Sequence, residues 1–397
     1  MTEPWSRVLS FRVRSRSPDV LKSVSFPYVA GAHVPTSGVG TAGFRTLSEL
    51  ERAAADRLPS GIWDYLQGGA GEERTLRANR EAFRRRTLRP KVLAGVSVVD
   101  LTTTLLGAPV RAPFFVAPAA YQRDIHAEGE CGMATAAADA GVLAIVSTLS
   151  SFSLEEIAEA SEHGPRWFQL YLQPEFAQSE RLVRRAERAG YGAIVLTVDA
   201  PLLGTRDRQS REGFALDSPV AIGNGPEFVS PARAPTAEGS RFRLRSDAAS
   251  DWETLDRLRD ATRLPLVVKG ILRGEDAQKA VDHGAAGIVV SNHGGRQLDG
   301  APATLDVLPE IVNAVGSKTE VYLDGGVRRA SDVVMALALG AHAVGIGRPI
   351  LWALAAGGRA GVARYFELLS IELANTMTLM GSPSLSDLDP DMVAVGP

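Results

Sequence analysis

The chain holds a single cysteine, Cys131, so no disulfide can form within it. That usage fits a reducing compartment, and a cytoplasmic location is expected. Positive charge is not in excess: 43 Lys and Arg face 46 Asp and Glu in 397 residues, a net −3. A nucleic-acid partner calls for a clearly basic surface, so none is expected. Long apolar runs are missing too. The longest, Val333 to Gly347, contains His342 and runs into Arg348. A membrane-spanning helix needs ~20 apolar residues, so this stretch reads as a helix followed by a strand, and no membrane partner is expected. No His-x-x-x-His pair or Cys/His cluster offers a metal site. Near the start there is no apolar core of a secretory signal. Residues 1–45 instead carry Arg7, Arg12, Arg14, Arg16, Lys22 and Arg45 against Glu3 and Asp19, with no sustained periodicity. A poorly ordered extension is expected there, and a short tail over 386–397.

What the chain does have is ordinary globular composition, 45% hydrophobic and 22% charged, and a repeated phrase. From about residue 112, a helix-like stretch, a glycine and a short β-rich run recur, as in "AAADAGVLAIVS", "RRAERAGYGAIVLTVD" and "AVDHGAAGIVVSN". Glycine just past a helix accepts the left-handed backbone that ends it. Ser153 with Glu156 and Ser250 with Glu253 have capping-box spacing, which marks helix starts. Eight β-rich runs can be counted: 112–118, 142–147, 166–171, 193–199, 264–269, 286–292, 320–324 and 343–348. Near-continuous apolar runs suit parallel strands buried on both faces. No strand is followed by a G-x-G-x-x-G dinucleotide turn, which counts against an open doubly wound sheet. The fold class expected is therefore α/β, a (β/α)8 TIM barrel over 112–360 within a domain spanning 46–385. Helices in 46–110 should cap its bottom or side. A long lid-like loop, 200–263, should follow the fourth strand.

Barrel chemistry gathers where the strands end at their C-terminal side. Those ends read Pro118-Ala119-Ala120, Ser147, Gln169 and Tyr171, Thr197 and Asp199, Lys269, Ser291 and His293, Asp324, and Gly347-Arg348. They are polar or small, as an active site would require. "DGGVRR" and "GIGRP" place Gly325, Gly326, Arg328, Gly347 and Arg348 on the last two ends, which favours a phosphorylated ligand. Lys269 permits two chemistries, a Schiff base as in barrel aldolases or a fixed cation beside a cofactor. Of six histidines only His293 lies at a strand end, and Asp199 is the natural carboxylate to orient it as a general base.

"SNHGGRQLDG" at 291–300, with "LDGGVRR", "IGRP", "WDYLQGGAGEERTL", "VAPAAYQ", "FQLY", "LTVDAP" and "VVKG", closely resembles the FMN-dependent 2-hydroxy-acid oxidase/dehydrogenase family. That family includes glycolate, lactate and mandelate-type oxidases, and the resemblance covers roughly 46–385. It implies an FMN at the barrel mouth. The phosphate would meet Arg328, Gly347 and Arg348, beside Gly325 and Gly326, with Asp324 on the ribityl chain. The ring would contact Pro118, Ala119, Ala120, Ser147, Gln169, Thr197, Lys269 and Ser291, with Lys269 as the fixed cation. Tyr65, Arg206 and Arg296 would hold the carboxylate of an L/(S)-2-hydroxy acid, Tyr171 would lie near its hydroxyl, and His293 would take its proton, steadied by Asp199. Thr205 stands where the family often has a first arginine, and Leu66 and Leu149 stand where glycolate oxidase has bulkier aromatics. With Tyr121 beside them, they suggest an apolar pocket for a substrate larger than glycolate, mandelate-like. Ala120, glycine in some dehydrogenases, points to reoxidation by O2. A homotetramer is implied. Two alternatives stand at this point: FMN-dependent oxidation of an amine or modified peptide, and a lysine Schiff-base aldolase.

Overall fold

A computed structural model of the chain describes residues 43–208, 223–225 and 251–396. The basic N-terminal arm up to residue 42 and most of the long loop lie outside the described residues. Eight parallel strands close into a barrel in chain order: β1 (Phe114–Val116), β2 (Leu143–Ser147), β3 (Arg166–Leu170), β4 (Ile194–Thr197), β5 (Leu266–Ile271), β6 (Gly287–Val290), β7 (Glu320–Asp324) and β8 (Ala343–Ile346), which pairs back onto β1. Each lies inside or beside one of the eight β-rich runs, so the TIM barrel read from the sequence is the fold. The Val333–Gly347 stretch is indeed the end of a helix, Ala330–Ala338, followed by β8.

The strands are buried along nearly their whole length because they carry apolar side chains on both faces. One set, including Phe114, Ala144, Phe168, Ile194, Val268, Ile288 and Leu323, packs outward under the helices. The alternate set, Phe115, Ile145, Trp167, Val195, Val267, Val289 and Tyr322, forms a second cluster that fills the barrel. A hairpin of Thr103–Leu105 and Ala108–Val110 closes the lower end, with Leu105 fully buried in that inner cluster. The Leu106 N–H donates to the Glu320 carboxylate at 3.1 Å and ties the plug to β7.

Three elements differ from the sequence reading. Strand β5 does not stop at Lys269 but continues to Ile271 through an irregularity at Gly270. There φ is +118° and a Cβ would lie 2.7 Å from Asp199 Cβ, so only glycine lets the two strand ends approach. The cap expected at Ser250 falls one residue later. Asp251 starts the helix Trp252–Ala261 because its carboxylate accepts both the Thr254 N–H, at 2.9 Å, and the Thr254 hydroxyl, at 2.7 Å. The N-terminal helices α1 (Leu47–Arg57), α2 (Ser60–Gln67) and α3 (Arg74–Arg84) also do more than cap the bottom or side. Tyr65 and Leu66 at the end of α2 line the cavity at the barrel mouth.

The last helix, α4 (Arg348–Met380), is broken at Gly357 and Gly358 and packs against α1. Among the described residues no helix is long and apolar enough to cross a membrane.

Candidate active site

The side chains that face inward at the top of the strands continue the same two-residue alternation as the inner apolar cluster. Ser147 follows Ile145, Gln169 follows Trp167, Thr197 follows Val195, Lys269 follows Val267 and Asp324 follows Tyr322. All five are buried, and all line one cavity. Gln169 donates to Thr197 Oγ1 at 3.0 Å and accepts from the Ser147 hydroxyl at 3.2 Å, so these three share one network. Lys269 Nζ donates to Ser291 Oγ at 2.9 Å and sits 3.3 Å from Asp324 Oδ2, while Ser291 donates to Asp324 at 2.7 Å. Burial pushes the lysine down, but Asp324 and Asp199 outweigh it and leave its pKa above the usual value. A Schiff-base lysine must be neutral to attack, so the aldolase alternative does not fit this environment. A fixed ammonium does.

His293 follows β6 and bridges two partners. Its Nδ1 lies 2.9 Å from Asp199 Oδ1 and its Nε2 3.3 Å from the Tyr171 hydroxyl. An ionised carboxylate can only accept, so Nδ1 carries the hydrogen and Nε2 keeps its lone pair for a proton. Burial lowers the imidazole pKa below its usual value, more than Asp199 pulls it back. For Asp199, burial works upward, but His293 and Lys269 overcome it and keep the carboxylate ionised. The pair is therefore a neutral imidazole held by an anion.

Four arginines face the cavity: Arg206, Arg296, Arg328 and Arg348. Burial lowers all four, Arg206 to about 9 and Arg328 to about 10. Arg296 donates to the carbonyls of Tyr65, at 2.7 Å, and Gly68, at 2.8 Å, and its guanidinium lies 4.8 Å from the centre of the Tyr65 ring. Arg348 donates to the carbonyls of Leu66, Gly68 and Gly294. Arg328 bonds its neighbour's carbonyl on Val327 and lies over the Trp352 ring. Positive charge this far from water calls for anions, which bound phosphate and carboxylate groups would supply. The backbone agrees with that need. Gly325 and Gly326 have φ of +97° and +93°, and a Cβ at Gly326 would lie 2.5 Å from Asn79 O. At Gly347, the N-cap of α4, a Cβ would meet nothing within 4 Å, which leaves the helix start open to a phosphate. The residues thus fit a phosphate-bearing FMN. Arg328, Arg348 and the glycines would hold its phosphate, and Lys269, Gln169 and Ser147 would lie against its ring.

The structure brings nearly all the sequence candidates onto this one cavity: Tyr65, Pro118, Ala119, Ala120, Tyr171, Arg206, His293 and Arg296 join those above. Ser291 and Asp199 lie behind it. Ser291 is fully buried and acts on Lys269, Asp324 and the His293 N–H. Sequence reasoning missed Gln297, whose side chain donates to the carbonyls of Asp199 and Leu202 and accepts from the Gly204 N–H. Its place beside Arg296 in "GGRQLDG" was the available signal. Leu202 and Leu203, which add to the apolar wall with Leu66 and Leu149, were also missed.

Comparison with known proteins gives the context. The model of the family described as FMN-dependent dehydrogenase matches residues 54–395. An "L-lactate oxidase" of Nostoc sp. is 49% identical over 351 residues, 86% of this chain and 96% of that protein. A "4-hydroxymandelate oxidase" of Amycolatopsis orientalis is 48% identical, covering 86% and 95%. "2-Hydroxyacid oxidase 1" of Homo sapiens is 43% identical, covering 88% and 96%. Among solved structures, mandelate oxidase with (S)-2-phenylpropionate superimposes with a TM-score of 0.82 at 46% identity, covering 89% of this chain and 99% of that one. Sequence, fold and a cavity suited to the cofactor agree, and the chain belongs to the FMN-dependent dehydrogenase family, the FMN enzymes known as 2-hydroxy-acid oxidases and dehydrogenases.

Proposed function

We propose that this enzyme oxidises an (S)-2-hydroxy acid bulkier than glycolate to the 2-oxo acid, with His293 as the base and O2 as the final acceptor. The observation that carries the reading is His293 itself, fixed by Asp199 on one nitrogen and facing the Tyr171 hydroxyl with the other, both side chains lining the cavity. FMN supplies the two-electron acceptor when bound. Arg206 and Arg296 receive the substrate carboxylate, for which paired guanidiniums are well shaped. The Tyr171 hydroxyl, already 3.3 Å from His293 Nε2, orients the substrate's hydroxyl toward the base. Oxidation removes two electrons and two protons from the substrate, of which a bound FMN would take up the electron pair and one proton. His293 Nε2 accepts one proton, and Asp199 balances the imidazolium that results. The wall of Leu66, Leu149, Leu202 and Leu203 supports an apolar side chain such as phenyl. Relatives named as oxidases support O2 as the acceptor. A cytoplasmic homotetramer belongs to the same reading, supported by the single cysteine and by the family resemblance.

The test is anaerobic mixing of the yellow holoenzyme with glycolate, L-lactate, (S)-mandelate and 4-hydroxymandelate, followed by air. Bleaching should be fastest with the aryl acids, and air should restore the colour with release of peroxide. Fastest bleaching by glycolate would overturn the substrate size. A flavin that none of the four bleaches would overturn the activity.

A further inference from the structure

The connector between α2 and α3, residues 68–73, is a small hub. Carbonyls at its start and on the end of α2 receive Arg296 and Arg348. Its amides face outward to other loops: Ala70 N–H donates to Gly295 O at 2.8 Å and Gly71 N–H to Thr205 O at 2.9 Å. At its end Glu73 has φ +61°, a left-handed backbone that costs any residue with a Cβ. Its carboxylate turns back to accept the Gly69 N–H at 3.1 Å. The same carboxylate accepts from Arg208 Nε at 2.9 Å and Arg208 Nη2 at 2.7 Å, a two-point fork across 135 positions of sequence. A lone surface ion pair contributes little because water screens it and side-chain entropy opposes it. This one is bidentate, and Glu73 is only 16% exposed. Around Arg348, Glu73 is also the negative charge that offsets Arg206, Arg296 and Arg328.

Arg208 lies two residues beyond Arg206. The short segment 204–208 is tied at three places to parts that also hold Arg296: Gly204 to Gln297, Thr205 to Gly71, and Arg208 to Glu73. We propose that the Glu73–Arg208 pair is a positioning clamp that fixes this segment against the connector, so that Arg206 and Arg296 stand at the spacing a substrate carboxylate requires. The clamp rests on the reading that these two arginines receive the carboxylate. Neither Glu73 nor Arg208 lines the cavity. Their effect falls on binding and not on the chemical step.

The experiment uses holoenzyme and two readouts: the Kd of benzoylformate, an unreactive 2-oxo carboxylate, from flavin absorbance, and KM and kcat with (S)-mandelate. Glu73→Gln and Arg208→Gln should each raise Kd and KM about tenfold while kcat stays within about twofold, because a misplaced guanidinium weakens binding before it touches proton transfer. The double variant should be no worse than the worse single one, since a broken pair cannot be broken twice. Arg208→Lys, which keeps the charge, should recover part of the loss. Effects that multiply in the double variant, or a kcat that falls at constant Kd, would overturn the clamp. Arg206→Met separately tests the underlying reading and should raise Kd by about a hundredfold. If Arg206→Met leaves Kd unchanged, the carboxylate assignment fails, and the clamp fails with it.

Discussion

The lower and upper halves of the barrel interior are built by the same strands, one alternation apart, yet they serve different ends. Below, Trp167 and Tyr322 meet edge to face at 5.5 Å and Phe115 meets Tyr322 at 5.9 Å, sealed by Leu105 from the hairpin. Above, the next inward residues are Gln169, Asp324, Lys269 and Thr197, joined by hydrogen bonds and facing a cavity. Burial is nearly complete in both layers. Their difference lies in what each buried group requires. Apolar rings are satisfied by shape alone, whereas every polar group above needs a partner from another strand, which fixes the site's geometry. The lower layer holds the strands in register, and the upper layer uses that register.

Substitutions can break this division in order of severity. His293→Ala should slow flavin reduction by 2-hydroxy acid about 10⁴-fold while the protein stays folded and yellow, as read by anaerobic stopped-flow. Trp167→Ala should do the reverse. It should remove about 3–5 kcal/mol of stability, read in denaturant unfolding, while the enzyme that remains folded keeps its kcat within a few-fold. Asp199→Asn should lower the rate about a hundredfold, less than loss of the imidazole, because Nε2 survives but its charge partner does not. The wild-type pH profile sharpens the picture with the smallest effect. A base whose pKa lies below the ordinary ~6.5 must lose its proton on the acid side of that value. Thus kcat/KM should rise with pH below 6.5 and be flat through neutrality. In Asp199→Asn the attraction that raises the histidine pKa is gone, so the limb should move to still lower pH. A limb above pH 7 in the wild type would contradict the neutral base.

Much of this was legible beforehand because it is periodic. Eight apolar runs with glycine stops locate the strands, and the polar or small residues at their C-terminal ends mark the site. His293 stood out as the one histidine at a strand end. What local pattern could not show is contact across the chain. Gly270 reads as the end of a strand until Asp199, from the neighbouring strand end, is seen to occupy the space of its missing side chain. The resemblance placed the side chains of Tyr65 and Leu66 at the pocket, but nothing in the sequence shows that their carbonyls take up the buried Arg296 and Arg348. Glu73 and Arg208 look like two surface charges, and no periodicity links them.

His293 itself lies in the left-handed region, with φ +58°. Its N–H reaches Ser291 Oγ at 3.0 Å, and Gly294 and Gly295 follow it with φ of +63° and +75°. A histidine there costs about 1 kcal/mol or more relative to a backbone that prefers glycine or asparagine. The fold thus carries a standing bias against the histidine proposed as its base. In a gene copy released from selection for activity, drift to glycine at position 293 would relieve the backbone while it removed the proposed base. Such a descendant would be an intact barrel, still able to bind FMN, from which the enzyme had been lost by a change that its backbone favours.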